Sequence, residues 1–178
     1  MIKAQLSLAD NVCLALIVNG AAHGWTVVQQ MQPKTPLGRI WSLSRALTYR
    51  SIEHLAELNY IRRQGIAAGK GADRRLVHAT ALGCSVTRQW LESPVEHLRD
   101  VRTELLLKLE LRTQAKKSNI AFIRRQQKIF APVITTLGDT ARSSKVPVDL
   151  WRSVSAKSVD AFLRALLMNQ SHNRGQVR

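Results

Sequence analysis

A chain of 178 residues fits one compact domain with a helical extension better than two independent domains, and its 45% apolar content excludes a chain disordered throughout. Lys and Arg number 27 against 12 Asp and Glu, and a formal net charge of +15 points to a polyanionic partner. The basic excess is spread over both halves of the chain, so it is not a detachable tail; charge alone would also suit a basic protein that is merely well dispersed.

Leu8 to Asn19 has apolar positions at helical spacing and stops at Gly20, which predicts a first helix with a glycine terminator. Its run Val12 to Val18 is too short to span a bilayer, and Asp10 and Asn11 interrupt the pattern of a signal peptide, so it reads as a core helix of a cytoplasmic protein. Cys13 and Cys84 form no Cys-x-x-Cys pair and have apolar neighbours, which fits burial in a reducing interior. Ala22 to Met31 reads as a short second helix. Pro33, Pro36 and Gly38 then predict a loop, after which Ser42 or Ser44 can cap a third helix running to about Leu58. On that helix Leu47, Ile52, Leu55 and Leu58 fall on one side, with Arg45, Thr48, Tyr49 and Glu53 mostly elsewhere.

Tyr60 to Ala67 and Arg74 to Thr80 are β-compatible runs around a glycine-rich tip, Gly69 to Asp73, which suits a two-stranded hairpin. Three helices followed by a basic hairpin describe a winged helix. Helical patterning resumes after Leu82 and breaks at Ser93 and Pro94. Leu98, Val101, Leu105 and Leu109 then form a stripe expected on one long amphipathic helix that a single chain would leave uncovered. Two further helices carry Ile120 to Leu137 and, after Pro147, Trp151 to Leu166. The expected fold class is mainly α with a small β-hairpin: a winged helix-turn-helix over residues 1–92, an all-helical dimerisation or effector region over 93–168, and a disordered tail over 169–178.

Four blocks resemble the PadR family of bacterial transcriptional regulators: Asn19-Gly-Ala-Ala-His-Gly-Trp25, Ser44-Arg-Ala-Leu-Thr-Tyr49 with Ile52 and Leu55, Arg74 to Thr80 with Gly83, and Val95 to Leu109. The resemblance covers roughly Leu8 to Arg112. It implies a recognition helix with a characteristic tyrosine, a dimerising helix at Leu98, Val101, Leu105 and Leu109, and, as in some members, a flat aromatic ligand, for which Trp90 and Trp151 are candidates. Two positions depart from the family pattern. Arg45 and Ala46 replace a proline and glycine, and Asn59 replaces the glycine that ends the recognition helix.

The candidate DNA-binding residues are therefore Ser44, Arg45, Thr48, Tyr49 and Arg50 on the helix, where forks and hydroxyls can meet base edges, and Lys70, Arg74 and Arg75 on the wing, where cations neutralise phosphates. Arg62 and Arg63 add to the wing's charge, although edge strands carry such charges for solubility alone. Gly69-Lys-Gly71 lacks the spacing of a nucleotide-binding loop. The histidines show no metal-ligand spacing; His97, Asp100 and Glu104 would share a helical face, but a solvated face with Glu104 and Lys108 is the plainer reading. No nucleophile elbow is present, and Glu53 with Glu57 lies on the DNA-reading helix, so the chain reads as a non-enzyme needing no metal or cofactor. The function expected is a homodimeric repressor acting on a pseudopalindromic operator of double-stranded DNA, in the nucleoid, with a small aromatic effector or a protein partner. The alternative is a winged helix used for protein interaction or non-specific nucleic-acid binding.

Overall fold

The computed structural model describes residues 6–67 and 74–175. Ser7 begins the first helix, α1 (Leu8–Val18), with a capping box: its hydroxyl accepts from the Asp10 N–H, and the Asp10 carboxylate accepts from both the Ser7 hydroxyl and the Ser7 N–H. Val12 to Ile17 are all buried, so α1 is apolar around most of its circumference and runs through the centre of its unit. Each fully buried leucine there contributes about 1.5–3 kcal/mol. Around it stand α2 (Gly24–Gln30), α4 (Arg45–Glu57) and α5 (Ala81–Glu92), with α3 (Pro36–Ile40) packed against α2.

α3 occupies a stretch expected to be loop. Thr35 accepts from the Gly38 N–H and donates to the Gln30 carbonyl, and Pro36 at the first position loses no hydrogen bond, so the proline starts a helical turn instead of ending one. Ser44 caps α4 by accepting from the Leu47 N–H, and Asn59 just beyond its end takes a left-handed φ of 57°.

β1 (Ile61–Ala67) and β2 (Arg74–Ala79) pair antiparallel, Ile61 opposite Ala79 and Ala67 opposite Arg74, with a bulge between Arg63 and Ile66. Ala22 and His23 touch the ribbon through one isolated bridge: the Val77 N–H donates to the Ala22 carbonyl at 2.9 Å and His23 bridges Leu76. At the ribbon's root Thr80 caps α5, accepting from the Gly83 N–H while donating to the Asn59 and Tyr60 carbonyls. Gly83 is required by contact: a Cβ there would stand 2.1 Å from the Tyr60 oxygen. The observed class is that expected, mainly α with one small hairpin in a winged helix.

The chain divides into two compact units, Met1–Ser93 with Leu106–Lys117, and Pro94–Leu105 with Ser118–Arg178. The division is interleaved rather than a clean boundary after residue 92. α6 (Leu106–Gln114) returns to the first unit because it satisfies the carbonyl end of α5. Lys108, 2% exposed, donates to the Ser93 carbonyl at 2.8 Å and lies over the Trp90 ring, and Arg112, also buried, donates to the Leu91 carbonyl and the Glu92 carboxylate. Lys108 is thus not part of a solvated face. The long amphipathic helix expected through Leu98 and Leu109 is also replaced: Leu98 lies in a 3-10 turn, Val101 and Leu105 in a π turn, and Leu109 in α6.

In the second unit α7 (Ile120–Ser143) and α8 (Pro147–Gly175) form a helical hairpin with Phe122, Ile123, Phe130, Ala156 and Leu163 inside. The buried Gln126 amide clamps Val95, accepting from its N–H and donating to its carbonyl, both at 2.8 Å. Pro132 interrupts the hydrogen-bond ladder of α7, and Phe130 is the last buried residue on that helix. α8 continues to Gly175, past Asn169 where a frayed tail was expected. Among the described residues no helix is long and apolar enough to cross a membrane.

Candidate nucleic-acid interface

α4 turns its apolar edge inward through Ile52 and Leu55 and leaves Ser44, Arg45, Ala46, Tyr49 and Arg50 exposed along its first turns. Thr48 corrects the sequence reading. It is fully buried, and its hydroxyl donates to the Ser44 carbonyl at 3.0 Å, because a threonine inside a helix can satisfy itself on the preceding turn. It has no surface with which to meet a base.

The Arg45 guanidinium lies 5.7 Å from the Tyr49 ring centroid and 5.9 Å from that of Trp25, which sequence reasoning did not single out as a site residue. The signal was present: a large aromatic directly after Gly24 on a short helix. Gly24 lets the two helices meet there, since a Cβ would come within 2.9 Å of the Tyr49 ring.

On the ribbon, Arg62 and Arg63 are exposed, and Arg62 pairs across the strands with His78. Arg63 is engaged by Glu53 of α4, an exposed ion pair worth about 0–1 kcal/mol that ties the strand to the helix. Arg74 and Arg75 open β2 opposite Ala67 and Ile66. Lys70 and the rest of the tip lie outside the described residues.

Behind the helix, the His54 Nδ1 stands 3.1 Å from the buried Asp10 carboxylate. Burial pushes the Asp10 carboxyl up, and hydrogen bonds from the Ser7 hydroxyl, Ser51, the Ser7 N–H and His54 outweigh it, holding the group below its ordinary value. Burial pushes the Cys13 thiol up to about 12, which makes it inert; Cys13 and Cys84 are both free.

The two tryptophans named as ligand candidates belong to different units. Trp90 is half-buried in the first unit under Lys108. Trp151, 70% exposed, lines a cleft of about 490 Å³ within the second unit, with His97, Arg99, Arg152, Val133 and Leu137. Of the expected dimer stripe, Val101, Leu105 and Leu109 are buried within the chain and Leu98 is half-buried, so the premise that one chain leaves them uncovered does not hold. Asp100 lies beside Arg99, and among the described residues no three of His, Cys, Asp and Glu stand close enough to hold a metal.

No protein-family model matches the chain. No curated protein matches it. Among solved structures it is similar to that of Bacillus subtilis PadR in complex with operator DNA, at 15% identity and a TM-score of 0.48, covering 92% of this chain and 99% of that one. It is also similar to that of the same protein in complex with p-coumaric acid, at 16% identity and a TM-score of 0.44, covering 91% and 98%. A third is smu.1604c from Streptococcus mutans UA159, at 12% identity and a TM-score of 0.42, covering 89% and 98%.

Proposed function

We propose that the chain is a sequence-specific DNA-binding transcriptional regulator, a homodimeric repressor reading a pseudopalindromic operator in the cytoplasm. The observation that carries this reading is the outward first turns of α4, where Arg45 and Arg50 stand exposed after the Ser44 cap, beside a basic antiparallel ribbon. A helix of this kind inserts its amino-terminal turns into the major groove, and the flanking ribbon meets phosphates. Ser44, Arg45, Tyr49 and Arg50 are the proposed reading residues, with Lys70, Arg74 and Arg75 as phosphate contacts.

Two half-sites about 34 Å apart require two copies. With Val101, Leu105 and Leu109 used inside the chain, exposed apolar side chains of the helical hairpin, among them Ile129, Val148, Leu150 and Val154, are the proposed surface for a second copy. The cleft at Trp151 is the proposed effector site: its ring and apolar wall suit a flat aromatic molecule, and Arg99 and Arg152 suit an anionic group on it.

Binding-site selection from random duplexes tests the reading. The expected product is a two-fold symmetric motif whose affinity falls with salt at a log-log slope of roughly −0.9 per phosphate neutralised, shallower in Arg75→Ala. Enrichment of no motif would refute sequence-specific regulation and leave protein interaction or non-specific binding.

A further inference from the structure

We infer that Trp25 is a positioning residue for base recognition, its indole acting with the Tyr49 ring to hold the Arg45 guanidinium ready for a guanine edge. This rests on the DNA-reading role of α4 proposed above. An aromatic ring attracts a guanidinium through its π cloud and not by accepting N–H bonds as a carboxylate does, so the donors of Arg45 stay available to pair outward. Arg45 is exposed, and among the described residues no carboxylate pairs with it, so the two rings are its only fixed neighbours of this kind there.

The other cations lying over rings show the contrast. Lys108 over Trp90 is buried and consumed by the Ser93 carbonyl, which makes it a strut. Arg125 lies over Phe122, which is itself fully buried. At Arg45, by contrast, one guanidinium meets two rings that are themselves at the surface, Trp25 at 38% and Tyr49 at 37% exposure. Trp25 belongs neither to the main apolar core cluster nor to the side chains packed against it. Its consequence is to narrow the orientations of a long flexible side chain before DNA arrives, and a donor already oriented loses less freedom on binding.

The test has two parts. In the free protein, the Arg45 Nε–H proton should carry an upfield ring-current shift that Trp25→Ala diminishes and Trp25→Phe largely retains. Against the selected duplex, Trp25→Ala should lower discrimination about 2- to 5-fold at the same guanine that Arg45→Ala relaxes, leaving other positions unchanged. Trp25→Phe should restore most of it, and Trp25→Ala should add nothing in an Arg45→Ala background. Additive losses in the double variant, or an equal loss on every sequence, would overturn the positioning role while leaving DNA reading intact. A wild-type protein that selects no motif would remove both.

Discussion

Gly83→Ala replaces one hydrogen by a methyl at the root of the wing. The new Cβ would stand 2.1 Å from the Tyr60 carbonyl oxygen, about 1 Å or more inside ordinary van der Waals contact, with Leu14 behind it at 3.3 Å. The atom met is backbone, so no rotamer change relieves the overlap. The start of α5 must retreat from the start of β1, and the retreat stretches the bonds between them, from the Thr80 hydroxyl to the Asn59 and Tyr60 carbonyls at 2.8 and 3.1 Å. Overpacking costs about 1–3 kcal/mol and each weakened hydrogen bond up to about 1 kcal/mol, against a helix-propensity gain of at most about 1 kcal/mol. The midpoints of these terms give an expected net loss of about 2–3 kcal/mol, or roughly 4–12 °C in the thermal midpoint of a chain this long. Thermal denaturation followed by far-ultraviolet circular dichroism reads it, and weaker operator binding should accompany it because the ribbon's root moves. A Gly83→Ala protein as stable as the wild type would show that the close approach does not fix this junction.

Acid should weaken the fold through Asp10. Its folded value is depressed, so its contribution is complete above the unfolded value near pH 4 and fades as pH falls through the lower folded value; Asp10→Asn should flatten that acid limb in equilibrium unfolding between pH ~5 and ~2. Gln126→Leu should strand the Val95 N–H and carbonyl in a buried site and cost about 2–5 kcal/mol by denaturant titration, with a loss under about 0.5 kcal/mol counting against the clamp. Thr48→Val should leave the selected DNA motif unchanged and cost no more than about 1.5 kcal/mol, whereas a changed motif would return Thr48 to the reading face.

Much of the first unit was legible because its signals are local. The apolar run of α1, the Ser44 cap and the left-handed Asn59 each act within one helical turn, and all three stand where the residues put them. The failures share a different cause. Thr48 looked like a surface hydroxyl because sequence shows polarity but not the backbone carbonyl that satisfies it. Leu98, Val101, Leu105 and Leu109 kept a helical spacing that 3-10 and π turns can also deliver, so periodicity could not reveal that the segment is broken between two units. Nothing local in Lys108 or Arg112 announces that they end on carbonyls of α5. The meeting of Trp25 with Arg45 likewise depends on how two helices approach, a property of tertiary packing.

Pro132 divides α7 by protection from solvent exchange. Amides before it belong to a segment anchored by Phe122, Ile123, Gln126 and Phe130; those after it have no buried residue of their own helix to hold them. Exchange should therefore be slow up to Phe130 and fast beyond, with the second half opening at a lower free energy than the first. Val133 and Leu137 belong to that second half and form one wall of the Trp151 cleft. The cleft is thus bounded on its α7 side by the part of that helix that opens at least cost, and a molecule bound there would slow the exchange of residues 133–143.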